Sequence, residues 1–132
     1  REDSTANQDV PENVLVRRFT QFELRELYAR SVFLVMPLYT VNFQAGVTAL
    51  LEAMAMSKAV ICSRTPGQTD VVVEGKTGIY VPPEDPTALR AAIEQLLQQP
   101  AEARRLGVNG RRRIVAHMSL THYTRRLAAF VK

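Results

Sequence analysis

Cysteine, histidine and long apolar runs are scarce in this sequence, and each scarcity removes a class of function. The one cysteine, Cys62, excludes an internal disulfide and most cysteine-based metal sites. It falls inside an apolar run, so a buried, inert thiol is expected there. The two histidines, His117 and His122, are five apart and do not share one face of a helix. They would make a poor metal pair, and no metal site is expected. No apolar run approaches the roughly 18 residues of a membrane span. No secretory leader is legible, although a start at Arg1 rather than Met leaves that end open. There is also no Gly-x-Ser-x-Gly elbow and no Walker loop, which argues against the common hydrolase and P-loop chemistries. A reducing, cytoplasmic setting fits this composition.

The 132 residues are 46% hydrophobic and 23% charged, enough for one ordinary globular domain with a real core. The net charge is +4, and the excess is concentrated near the C-terminus in Arg104-Arg105, Arg111-Arg-Arg113 and Arg125-Arg126. Such a face attracts phosphates or acidic lipid headgroups, so peripheral contact with the inner face of a membrane is compatible with it. A solvated helix face is the simpler expectation. No aromatic side chains interleave with the arginines to stack on bases, so a nucleic-acid partner is not expected.

Residues 1–12 are polar and aperiodic and read as a flexible segment; residues 13–132 form the folded unit. Val14 to Phe19 is predicted to be a strand. Thr20 then caps a helix over Gln21 to Ala29, with Glu23 completing a capping box and Leu24, Leu27 and Tyr28 facing inward. Thr69 or Asp70 is expected to open a short helix through Val73. Gly75 to Gly78 is a turn and Gly78 to Val81 a strand. Pro86 sits at the favoured first position of a helix whose Leu89, Ala92, Ile93, Leu96 and Leu97 keep a 3.6-residue period. Two further helices follow, about Ala101 to Met118 and Leu120 to Val131, the first weakened by Gly107 and Gly110.

The middle of the chain carries the chemistry. Val32 to Met36 and Ala59 to Cys62 are short, continuous and apolar, as strands buried in a parallel sheet are. Between them, the stretch after Gly46 reads as a helix that is apolar nearly all round: Val47, Ala49, Leu50, Leu51, Ala53, Met54, Ala55. Its one charge is Glu52, which needs water or a polar partner. The free N–H groups and positive dipole end at Gly46, Val47 and Thr48 form a ready anion site. Ligands of open α/β sheets lie beyond the carboxyl ends of the strands, where the loop before this helix runs. The residues alone thus suggest a phosphate at Gly46 to Thr48 and hydroxyl groups at Glu52.

The segment Gln44-x-Gly-x-x-x-x-x-Glu52-Ala-Met-Ala, followed by Lys58-Ala-Val-Ile, resembles the E-x7-E region of retaining, nucleotide-sugar-dependent glycosyltransferases of the GT-B fold, often grouped as family 4. Glu26-Leu-Tyr-Ala-Arg-Ser31, Pro66-Gly-Gln-Thr-Asp-Val-Val72 and Val73-Glu-Gly-Lys-Thr-Gly-Ile-Tyr-Val-Pro82 resemble further segments of that family in the same order. The likeness covers roughly residues 14 to 130. It implies an α/β, Rossmann-like parallel sheet with helices on both faces and a helical C-terminal extension. It also implies the donor-nucleotide-binding, C-terminal lobe of the enzyme, without the N-terminal acceptor lobe and the start of the donor lobe, and so a fragment inactive alone. The donor would be a sugar nucleotide such as UDP-glucose or GDP-mannose, bound as substrate with no cofactor and no metal. The acceptor would be a growing glycan, a lipid-linked sugar or a small metabolite.

By position, the resemblance gives Glu52 the ribose hydroxyls and gives Gly46, Val47, Thr48 and Ala45 the phosphates. It places Arg18 and Phe19 at the nucleotide base through backbone groups, although Phe19 reads equally well as plain core. Gln44 stands where the family usually keeps a Glu beside the donor sugar and is the candidate catalytic position. An amide keeps acceptor geometry but carries no charge and cannot act as a base. Two readings stay open: an active variant holding its sugar by the amide, or a non-catalytic α/β interaction module derived from the fold.

Overall fold

The computed structural model describes residues 9–43, 45–66 and 70–130. Gln44, Thr69, Val131, residues 1–8 of the polar start and the side chains of His122 and Arg126 lie outside the described residues. The elements are α1 (Gln21–Arg30), β1 (Phe33–Met36), α2 (Val47–Ala55), β2 (Ala59–Ser63), β3 (Gly78–Val81), α3 (Pro86–Gln98), α4 (Pro100–His117) and α5 (Leu120–Phe130). The three strands form one parallel sheet in the order β1-β2-β3.

The sheet is covered on both faces, as the apolar runs imply. β2 is central and all five of its residues are buried. Val60 and Cys62 point to one face, packing with Tyr28 of α1 and with Leu50, Ala53 and Met54 of α2. Ile61 and Ala59 point to the other, packing with Ala92 and Leu96 of α3 and with Ala103 and Leu106 of α4. This alternation is the period-2 geometry of a strand with two apolar neighbours. α4 serves both cores, because its later residue Ile114 packs against the first. α5 follows as the helical extension, its described side chains exposed.

α1 begins with both hydrogen bonds of the capping box: Thr20 Oγ1 accepts from the Glu23 amide at 3.2 Å, and Glu23 Oε2 accepts from the Thr20 amide at 2.8 Å. α3 is capped by Asp85, whose Oδ1 accepts from the Ala88 amide at 2.9 Å, with Pro86 at the first helical position.

Four expectations change. Val14 to Phe19 has strand propensity but pairs with no strand among the described residues, and Val14, Leu15 and Val16 are 48%, 73% and 48% exposed. A strand needs a hydrogen-bonding neighbour, and among the described strands β1 meets only β2. Val32 is exposed and lies outside β1. Leu27 and Leu97 keep helical periodicity yet face outward, since α1 and α3 each pack on one side only. Residues 70–73 form a turn rather than a short helix.

Candidate functional site

The site is built around α2. Its N-cap is Gly46, held at φ +69°, ψ 7°, a left-handed conformation that costs glycine little and other residues more. A Cβ there would also meet Met36 Sδ at 2.9 Å. Met36 ends β1, so the amino end of α2 lies at the carboxyl end of a parallel strand. Among the described residues no side chain caps this terminus. The first N–H groups of α2 thus have neither an intrahelical partner nor a capping side chain there, the arrangement that suits an anion.

Thr48 and Glu52 are four residues apart and both exposed, so they share one face of α2. At about 1.5 Å rise per residue, Glu52 lies roughly 8 Å along the axis from the helix start. The Tyr28 hydroxyl, carried by α1, donates to Glu52 Oε2 at 3.0 Å. Burial, then the hydrogen bond to Glu52, push the Tyr28 phenol up to about 12, so it remains a neutral donor. The carboxylate is anchored on one oxygen and open on the other side. A groove of about 410 Å³ runs past it, lined by Leu24, Arg25, Tyr28, Glu52 and Met56.

A second cleft, about 460 Å³, lies beyond the carboxyl ends of all three strands. Leu38 and Tyr39 follow β1, Ser63 ends β2, and Val81 and Pro82 end β3. Ser63 Oγ accepts from the Leu38 amide at 2.8 Å and ties the floor of the cleft together. Both volumes fall within the range of small-ligand pockets.

The structure brings Gly46, Val47, Thr48 and Glu52 onto one helix, with Ala45 half-buried just before it. Gln44 lies outside the described residues. Arg18 is exposed. Phe19 is half-buried beneath the Arg17 guanidinium, 4.6 Å from its ring centroid, and lines a groove with Leu15, Phe22 and Leu27. That groove uses a different face of α1 from the one carrying Leu24 and Tyr28. Tyr28 as the partner of Glu52 was not legible, because the two are 24 residues apart and Tyr28 reads as core. Among the described residues no group of three or more His, Cys, Asp or Glu could hold a metal, and no helix is long and apolar enough to cross a membrane.

The model of the family "Glycosyl transferases group 1" matches residues 2–113. The chain belongs to that family. It is 34% identical over 106 residues to alpha-maltose-1-phosphate synthase of Mycolicibacterium smegmatis, a match covering 76% of this chain and 27% of the relative. Among solved structures, sucrose-phosphate synthase from Thermosynechococcus elongatus superposes with a TM-score of 0.71 at 34% identity, over 80% of this chain and 26% of that one. The C-terminal domain of a group 1 glycosyl transferase from Francisella tularensis superposes with a TM-score of 0.68 at 18% identity, over 80% of this chain and 53% of that one. The group 1 chain therefore has the fold of the C-terminal lobe of a GT-B glycosyltransferase. It spans about a quarter of the length of the curated relative.

Proposed function

We propose that this chain is the donor-binding part of a retaining glycosyltransferase that moves a sugar from a nucleoside-diphosphate sugar to a glycan, lipid-linked or small-molecule acceptor. The observation that carries the reading is the pairing, on one helix, of an uncapped amino terminus and a carboxylate anchored by Tyr28. The diphosphate would take the N–H groups of Gly46, Val47 and Thr48. Glu52 would accept from the ribose hydroxyls. Departure of the nucleotide builds negative charge on the diphosphate, and fixed donors at a helix terminus stabilise that charge without reorganising. The carboxyl-end cleft, bordered by Tyr39 and Ser63, would receive the sugar. No resident cofactor or metal enters this reading.

Calorimetric titration with UDP, GDP, ADP and a UDP-sugar tests it. Selective binding of one diphosphate is expected. Charged hydrogen bonds are worth about 1.5–3 kcal/mol, so Glu52→Ala should weaken that binding roughly tenfold or more. An unchanged dissociation constant would remove Glu52 from the site.

Gln44 supports a second reading, since an uncharged amide stands in the sequence where the resembled family usually keeps a carboxylate. The chain would then belong to a protein that keeps the lobe and has lost turnover, serving as a binding or regulatory module.

A further inference from the structure

Several arginines of α4 line a groove. Lys76, Arg105, Asn109, Arg112, Arg113 and His117 are among the residues lining this groove of about 540 Å³, and among the described residues no Asp or Glu lines it. Lys76 and Thr77 lead into β3, so the groove opens at the amino end of that strand, the opposite end of the sheet from the cleft beyond its carboxyl ends.

Two of the arginines have an evident structural role. Arg105 donates to the Gly75 carbonyl at 2.7 Å and pairs with Glu102 at 2.6 Å. Arg113 donates to the carbonyls of Asp70 at 2.8 Å and Val71 at 3.2 Å. Asn109 donates to the Lys76 carbonyl at 3.0 Å. These bonds pin the 70–77 loop to α4 and fix the guanidinium groups. Lys76 and Arg112 differ, since among the described residues neither side chain makes an ion pair or a hydrogen bond. Both are exposed beside the pinned pair. The carbonyl end of α4 lies near His117, but its partial negative charge is about half a unit and is outweighed by two uncompensated full cations.

A preorganised guanidinium beside unbonded cations, with no carboxylate in the described lining, matches the chemistry of phosphate recognition. We propose that this groove is a second anion site that binds a phosphate-bearing ligand, away from the donor site. A soluble phosphorylated molecule and the phosphate of an anionic lipid headgroup share that chemistry.

Pyrophosphate titration followed by amide chemical shifts tests the assignment, with co-sedimentation on phosphatidylglycerol vesicles as a second arm. Pyrophosphate should shift Asn109 and Arg112, and Lys76→Glu/Arg112→Glu should weaken its binding about tenfold or more. The control Arg90→Glu, on α3, should leave it unchanged, as should saturation with UDP. Lys76→Gln/Arg112→Gln repeats the test with a milder change should the reversal unfold the chain. Vesicle binding lost in the double variant, without pyrophosphate binding, would assign the ligand as a lipid headgroup. Equal affinity in parent and double variant, shifts confined to α2 and Tyr28, or binding in neither arm would overturn the proposal.

Discussion

Tyr28 and Cys62 both make stability sensitive to alkali, and burial raises the Tyr80 phenol as well. Burial raises the Cys62 thiol from 9.0 to about 11, and burial with the Glu52 hydrogen bond raises the Tyr28 phenol from 10.0 to about 12. In both cases the folded state holds its proton more tightly than the unfolded chain. The stability they contribute is therefore fully present below pH 9 and lost as pH rises: between about 9 and 11 for Cys62, and about 10 and 12 for Tyr28. One such group gives a slope of at most about 1.4 kcal/mol per pH unit. Urea unfolding at pH 8, 10 and 11 should show stability level at first and then falling. Cys62→Ala should lower stability at every pH, because it leaves a small cavity, yet flatten the fall between pH 9 and 10. An undiminished fall would mean that the thiol does not titrate as its buried position requires. Cys62 as an inert core thiol was legible from its apolar run. The Tyr28 contact was not, since it depends on how α1 lies against α2.

At the scale of elements, two glycines of α4 that lower its intrinsic helix propensity have different reasons to be there. A methyl group at Gly107 would overlap the Ser57 carbonyl oxygen and crowd the Ala59 amide, so α4 crosses the amino end of β2 in direct backbone contact. At Gly110 the nearest atom to an added methyl is Met54 Cγ at 3.4 Å, part of a flexible side chain. Gly107→Ala should therefore destabilise the chain by about 1–3 kcal/mol, the usual range for overpacking. Gly110→Ala should be neutral or stabilising by up to about 1 kcal/mol, because the helix gains propensity and Met54 can yield. Thermal melts of the two variants decide it, and equal losses would mean that Gly110 is as tightly packed as Gly107. Sequence marked both glycines as helix weakeners, because their partners lie about 50 residues away. Local signals did better where the physics is local: the Thr20 cap, Pro86 and the 78–81 strand all fall where the residues place them. Val14 to Phe19 failed for the complementary reason, since a strand exists only with a neighbour.

At the scale of the whole molecule, the proposed binding and turnover call for separate tests. The chain spans 27% of a curated relative, so under the proposed function donor binding is tested on the chain and transfer on the full-length enzyme. The parallel sheet, its buried central strand and the α2 terminus were legible because each rests on a continuous apolar run or a glycine at a fixed place. The carboxyl-end cleft was legible only as a direction, since its walls come from the ends of three strands. Under the proposed function, Gln44 is the residue tested at this scale, because its expected role concerns transfer. If Gln44 holds the donor sugar in an active variant, Gln44→Glu in the full-length enzyme should lower turnover while leaving the diphosphate dissociation constant unchanged, because Glu52 and the α2 terminus are untouched. A tenfold loss would correspond to about 1.4 kcal/mol of lost transition-state stabilisation. If turnover instead appears or rises in the variant, the amide is the handicap and the non-catalytic reading stands.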